Sequence, residues 1–119
     1  KVSTVHARAE DAAQISQHRA NYDLVLARAV ARLPGLVEYL LPFARIGGRC
    51  VAMKGTTAFE ETEDAKPAIE ILGGKLLTIE SIELPGVPEK HYLVVIEKIA
   101  KTPSQYPRKP GIPTRKPLT

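Results

Sequence analysis

Charged side chains follow three segments that the sequence predicts to be buried strands. Residues 6–10 (HARAE) follow the first segment, Arg28 follows the second and Lys54 follows the third. Ligands of an open α/β sheet bind beyond the carboxyl ends of its strands. The pattern therefore predicts a cleft for a polar cofactor. The alternative is that Arg8, Arg28 and Lys54 are solvated loop cations.

A second group of cations lies in a proline-rich segment near the end of the sequence. Residues 104–118 contain four prolines, which favour an extended chain and predict neither a helix nor a central strand. We call residues 101–119 the strap. Its apolar residues Tyr106, Ile112 and Leu118 predict that it packs on the body of the protein, and the alternative is a solvated, disordered terminus. The strap cations that suit a polyanion are Arg108, Lys109, Arg115 and Lys116.

The charge of the chain is unevenly distributed. Residues 98–119 hold six of the 17 Lys and Arg residues and no acid, whereas residues 1–97 hold 11 cations and 13 acids. The formal net charge of +4 therefore comes from the C-terminal segment. Such an asymmetry indicates a nucleic acid or an anionic surface as the partner.

No catalytic triad, carboxylate pair or metal site is recognisable from residue types and spacing. The three histidines lack ligand spacing, and the single Cys50 excludes an internal disulfide and is typical of an inert core residue. No apolar run approaches the roughly 20 residues of a membrane span, and there is no secretory signal. We therefore expect a cytoplasmic protein with no metal and no membrane contact.

Strand and helix patterns alternate along the chain. Residues 22–27 read as a strand buried on both faces, the glycines at 47–48 as a turn, and residues 85–88 as a loop. Pro67 should kink or divide the helix around it, and the last two strands are too close for an intervening helix. The sequence thus predicts an α/β sheet that ends in an antiparallel element. Predicted strands cover residues 2–5, 22–27, 49–53, 75–84 and 91–98. Three helices are predicted: one covers residues 10–19, one starts near Pro34, and one starts at a capping box at 57–60.

Five pieces of the sequence carry a family resemblance. They are HARAE, YDLVLARAVARLP, GGRCVAMKG, LVVIEK and YPRKPGIPTRKPL, in this order. Together they closely resemble the C-terminal half of the ribosomal RNA small subunit methyltransferase G family, also called glucose-inhibited division protein B. The resemblance implies a partial class I (Rossmann-like) methyltransferase sheet in residues 1–100, followed by the strap. It also implies methyl transfer from S-adenosylmethionine to N7 of a guanine in small-subunit (16S) ribosomal RNA.

The resemblance implies roles for individual residues. Ala9 and Glu10 would line the adenosine pocket, Arg28 would bind the cofactor, and Lys54 would face the cleft and the RNA. Lys90 stands where the family usually has Arg, and it would join the four strap cations in RNA contacts. Because N7 of guanine carries a free lone pair, no general base is expected, and the enzyme must orient the reactants and exclude water.

The family's glycine-rich cofactor loop has no counterpart in this sequence. We therefore expect a fragment that is inactive alone, with four contiguous strands and a long unpaired sheet edge. The alternatives are a non-catalytic RNA- or ribosome-binding module and a small-molecule methyltransferase, which the basic strap disfavours.

Overall fold

A four-stranded mixed sheet forms the centre of the fold. The computed structural model describes residues 22–28, 32–109 and 111–119. The strands are β1 (Tyr22–Arg28), β2 (Ala44–Lys54), β3 (Gly74–Leu84) and β4 (Val87–Lys98). Their order is β1-β2-β4-β3, with β1 parallel to β2 and β4 antiparallel to both of its neighbours. The predicted antiparallel element is confirmed, whereas the predictions for residues 2–5 and 10–19 lie outside the described residues.

Two helices cover one face of this sheet. Helix α1 (Leu33–Leu40) has Pro34 in its first turn, where the missing N–H costs nothing, and a 3₁₀ turn (Leu41–Phe43) that contains Pro42 follows it. Helix α2 (Ala58–Ile71) packs against α1. Their apolar sides meet alternate residues of the central strands in one core, which includes Cys50, Ala52, Val94 and Ile96. No helix in the described residues is long and apolar enough to cross a membrane.

Cys50 lies in this core, as predicted. It is fully buried, and burial raises the pKa of its thiol to about 12. The thiol therefore stays protonated at neutral pH and packs as a small apolar group.

Strand β1 is not buried on both faces, contrary to the prediction from its apolar run. Leu24 is 53% exposed and Leu26 is 68% exposed. Val25 and Ala27 point the other way and pack against the core. The difference arises because both α1 and α2 cover the same face of the sheet.

The predicted turn at Gly47-Gly48 is also wrong, because β2 runs through these residues without a break. The pairing of β1 with β2 shifts register between Tyr22 and Leu24, opposite this glycine pair. Gly47 has φ +89°, and a Cβ at Gly48 would lie 2.8 Å from the carbonyl oxygen of Tyr22. The glycines therefore allow an irregularity within a paired strand, which local sequence alone does not distinguish from a turn.

Helix α2 begins after Thr57 as predicted, but the predicted capping box is not formed. The Thr57 hydroxyl donates to the Glu61 side chain, and no side-chain cap bonds the free N–H groups. Pro67 does not divide the helix, because it lies on the exposed side, where water can solvate the carbonyl that loses its partner. Gly73, with φ +86°, follows the end of the helix as expected.

The strap packs on the body, so the alternative of a solvated terminus is wrong for its described residues. Tyr106 and Leu118 contact the core as predicted, and Pro113 is fully buried. The expectation that no helix forms is wrong, since residues Ile112–Arg115 form a one-turn helix, α3, against α1. Pro113 lies in the first turn of α3, where proline is tolerated.

The hairpin between β3 and β4 is tighter than predicted. The turn consists of Pro85 and Gly86 alone, and β4 already begins at Val87. Gly86 takes φ +76°, which glycine adopts without strain.

Candidate functional site

The carboxyl ends of β1 and β2 lie side by side, as the sequence predicts. The backbone of Arg28, the last residue of β1, pairs with Met53, and Lys54 ends β2 one residue later. A side chain at Gly55 would meet no atom of the described residues within 4 Å. The space beside Gly55 is therefore open among the described residues, and we call this sheet edge the carboxyl edge. Ala9 and Glu10 lie outside the described residues.

Lys54 does not face this open space, which corrects the prediction from the sequence. Its side chain is 5% exposed, and Nζ lies 2.6 Å from Oε1 of Glu61. The reason is the two-residue period of the strand: Lys54 continues the row of Cys50 and Ala52 on the helix-covered face. Its ammonium therefore acts within the fold.

Glu61 collects hydrogen bonds from three segments. Oε1 accepts from Lys54 and, at 2.8 Å, from the backbone N–H of Leu33 at the start of α1. Oε2 accepts from the Thr57 hydroxyl at 2.5 Å. Burial alone would raise the pKa of Glu61, but the hydrogen bonds from Lys54, Thr57 and Leu33 lower it below its ordinary value of 4.5. Glu61 is therefore ionised at neutral pH. We call its ion pair with Lys54 the edge junction.

An aromatic pair lies beside the edge junction. Tyr92 pairs in register with Lys54, and the Phe59 ring packs edge-to-face on Tyr92 with the ring centroids 5.2 Å apart. Phe59 is exposed although it is a large apolar residue. Local sequence patterns do not reveal this pair, because the two residues lie far apart in the chain.

The hairpin end of β4 carries another predicted site residue, Lys90. This residue is exposed, as an RNA contact requires. The adjacent His91 has Nδ1 3.0 Å from the carbonyl oxygen of Glu89.

Arg108 in the strap is bound within the fold. Its Nη2 lies 2.8 Å from Oε1 of Glu38, its Nε reaches both carboxylate oxygens, and its backbone N–H donates to Oε2 at 2.6 Å. Nη2 also donates to the carbonyl of Lys116 at 2.6 Å. The hydrogen bonds to the Glu38 carboxylate raise the pKa of Arg108 above its ordinary value. These bonds hold Arg108 within the fold and do not support the predicted RNA contact. We call the Arg108–Glu38 pair the strap latch.

The other three predicted strap cations are exposed. Lys109, Arg115 and Lys116 lie on the surface, and Nε of Arg115 donates to the carbonyl of Gly111. They leave a positive surface available to a polyanion.

Sequence reasoning also missed Glu38, although a signal for it exists. Glu38 is a carboxylate among the buried residues of α1, and its side chain is 0% exposed. A charge in such a position requires a partner. The sequence does not tell which cation supplies it.

Comparison with known proteins identifies close relatives. The profile of the family described as "rRNA small subunit methyltransferase G" matches residues 1–92. Proteins named ribosomal RNA small subunit methyltransferase G are similar in Lactobacillus delbrueckii subsp. bulgaricus (51% identity, 98% of this chain, 49% of the relative) and in Clostridium novyi (50%, 98% and 48%). The relative in Acetivibrio thermocellus is 50% identical over 99% of this chain and 48% of its own length. The chain thus spans about half the length of the curated relatives it matches.

Among solved structures, a Thermus thermophilus 16S rRNA N2 G1207 methyltransferase in complex with AdoMet and guanosine is similar. It has 19% identity and a TM-score of 0.47, and the match covers 71% of this chain and 22% of that protein.

Proposed function

Because the chain belongs to the rRNA small subunit methyltransferase G family, we propose that the whole protein transfers a methyl group from S-adenosylmethionine to N7 of a guanine in 16S ribosomal RNA. The observation that carries this proposal is the identity of about 50% over nearly the whole chain to relatives named for that activity class.

The sheet supports the class I part of the proposal. The resemblance implies that the four strands correspond to strands 4-5-7-6 of the class I sheet, in that spatial order and with strand 7 antiparallel. The described order β1-β2-β4-β3, with β4 antiparallel between its neighbours, agrees with it. On this basis the carboxyl edge is the cofactor side of the sheet.

The family resemblance implies a cofactor with a nucleoside and a charged amino acid part at this edge. We propose that Arg28 binds it where β1 ends, together with Ala9 and Glu10. The cofactor, when bound, supplies an activated methyl group on a sulfonium. The protein's own task is to orient guanine N7 in line with that methyl and to exclude water, so that no side chain needs to remove a proton.

The RNA side of the proposal rests on the exposed cations. Lys109, Arg115 and Lys116 of the strap, and Lys90 on the hairpin, can each approach a phosphate. Lys54 and Arg108 are excluded from this set because Glu61 and Glu38 engage them.

Methyl transfer by the full-length protein tests the proposal directly. Wild-type protein with labelled S-adenosylmethionine should label small-subunit RNA, and digestion should yield 7-methylguanosine. Arg28→Ala should lower the transfer strongly with little change in melting temperature, because it removes a charge at a strand end. RNA binding without any methyl transfer by the wild type would instead support the alternative of a non-catalytic RNA-binding module.

Salt dependence of RNA binding tests the strap. Changing Lys109, Arg115 and Lys116 to Gln keeps the prolines and the packing residues. If each cation contacts a phosphate, the slope of log affinity against log salt should flatten by about 2–3 in total, since each contact contributes roughly 0.7–0.9. Cofactor affinity should not change. A parental slope would show that the strap only stabilises the domain.

A further inference from the structure

One buried carboxylate connects the two loops that border the carboxyl edge. The first loop leads into α1 and is described from Arg32 onward, and the second leaves β2 at Lys54 and ends at Thr57. Glu61 accepts the N–H of Leu33 at the end of the first loop, and it binds Lys54 and Thr57 at both ends of the second. Glu61 is therefore a buried link between the two loops, whereas the Arg32–Asp64 pair beside it is exposed.

The location of this connection matters for methyl transfer. The reaction needs the reacting atoms in line, and a displacement of about 1 Å can cost on the order of 100-fold in rate. Loops are soft unless packing and hydrogen bonds fix them. Glu61 and Lys54 are only 7% and 5% exposed, so the bonds that fix these two loops are shielded from water.

A gain in folding stability does not by itself explain the buried Lys54–Glu61 pair. An apolar pair of similar size is often as stable as a buried ion pair, since desolvation offsets the attraction between the charges. What an apolar pair lacks is the directional acceptor that the Leu33 N–H and the Thr57 hydroxyl require. Glu61 supplies that acceptor and thereby joins the start of α1 to both ends of the second loop.

We propose that Glu61 is a positioning residue for methyl transfer: through Leu33, Lys54 and Thr57 it holds the start of α1 and the loop after β2 in the arrangement that binds the cofactor. This inference rests on the function proposed above. Glu61 itself does not take part in the chemistry, because its oxygens are directed into the fold.

The test uses the full-length protein and the variant Glu61→Gln. The amide keeps the size of the side chain but removes the charge that holds Lys54. We expect the calorimetric dissociation constant for S-adenosylmethionine to rise about tenfold or more, at a temperature well below the melting transition. The transfer rate at low cofactor concentration should fall by at least the same factor.

The matched control is Glu38→Gln. It neutralises another buried carboxylate, which lies near the opposite end of α1 and whose described hydrogen bonds come from Arg108 in the strap. We expect it to lower the melting temperature while the cofactor dissociation constant stays within about twofold of the wild type. Equal changes of that constant in both variants, or no change in Glu61→Gln, would show that Glu61 has only a structural role.

A milder variant keeps the inference testable if Glu61→Gln does not fold. Thr57→Val removes one anchor of the second loop and leaves the Lys54–Glu61 pair intact. Its cofactor dissociation constant should rise severalfold, and an unchanged constant would contradict the inference. These outcomes differ from a failure of the proposed function, in which the wild-type protein itself neither binds the cofactor nor methylates RNA.

Discussion

The edge junction and the strap latch are two buried ion pairs that hold opposite ends of the same helix. Glu61 binds the first N–H group of α1, and Glu38 lies near the end of α1 under the strap. In the edge junction three segments donate to the carboxylate, whereas the hydrogen bonds described for Glu38 all come from Arg108. The cost of losing one partner should therefore depend on how many other donors remain to each carboxylate.

Exposure differs between the two pairs as well. Both members of the edge junction are almost completely buried, but Arg108 is 27% exposed while Glu38 is 0% exposed. In the strap latch, the buried carboxylate of Glu38 is therefore paired with a guanidinium that is partly exposed to water. Removing the cation therefore leaves the anion in the interior with few remaining partners.

The largest effect is expected for Arg108→Ala. The change removes the guanidinium, and of the bonds described for Glu38 only that from the backbone N–H of residue 108 remains. An uncompensated buried carboxylate should lower the free energy of unfolding by about 3–5 kcal/mol. Urea titration of the full-length protein measures this loss.

Lys109→Ala is the control for this change, since Lys109 is the exposed neighbour of Arg108. Its effect should stay within about 0.5 kcal/mol. A loss below about 1 kcal/mol in Arg108→Ala would show that water reaches Glu38 and that the latch adds little.

A smaller effect is expected for Lys54→Met. Glu61 keeps the N–H of Leu33 and the hydroxyl of Thr57, so its charge remains partly compensated. The free energy of unfolding should fall by about 1–3 kcal/mol, the typical cost of one lost partner in the interior. The same urea titration applies. A larger loss than in Arg108→Ala would contradict the idea that the additional donors protect the edge junction.

The sequence predicted the elements of this fold better than their connections. The apolar run around Cys50 and the apolar residues that follow Pro34 are local patterns, and they located β2 and α1. The proximity of Arg28 and Lys54 followed from two strand ends, although the two-residue period of a strand would have turned Lys54 toward the helices. The glycines at 47–48 looked like a turn because the register shift that accommodates them depends on β1.

The two carboxylate sites were beyond local patterns for a different reason. Leu33 is 28 residues from Glu61, and Arg108 is 70 residues from Glu38. Helix and strand periodicities describe which face of an element is buried, and they carry no information about which distant cation meets a buried acid. A carboxylate within the apolar stripe of α1 indicates that a partner exists, and only the fold identifies it.

The smallest effect is expected for Asp64→Asn. This variant separates the effect of burying an ion pair from the effect of its position between α1 and α2. Asp64 lies three residues after Glu61 on α2, and its partner Arg32 immediately precedes Leu33. The Arg32–Asp64 pair therefore joins the same two helices as the edge junction, with an N···O distance of 3.2 Å, but its side chains are 58% and 57% exposed. Water already solvates both charges, so the variant should change the free energy of unfolding by less than about 1 kcal/mol and leave the cofactor dissociation constant unchanged. Urea titration and calorimetry beside Glu61→Gln measure both quantities. Equal losses in the two variants would mean that any contact between α1 and α2 fixes the loops, whereas a loss confined to Glu61→Gln would assign that role to the buried carboxylate.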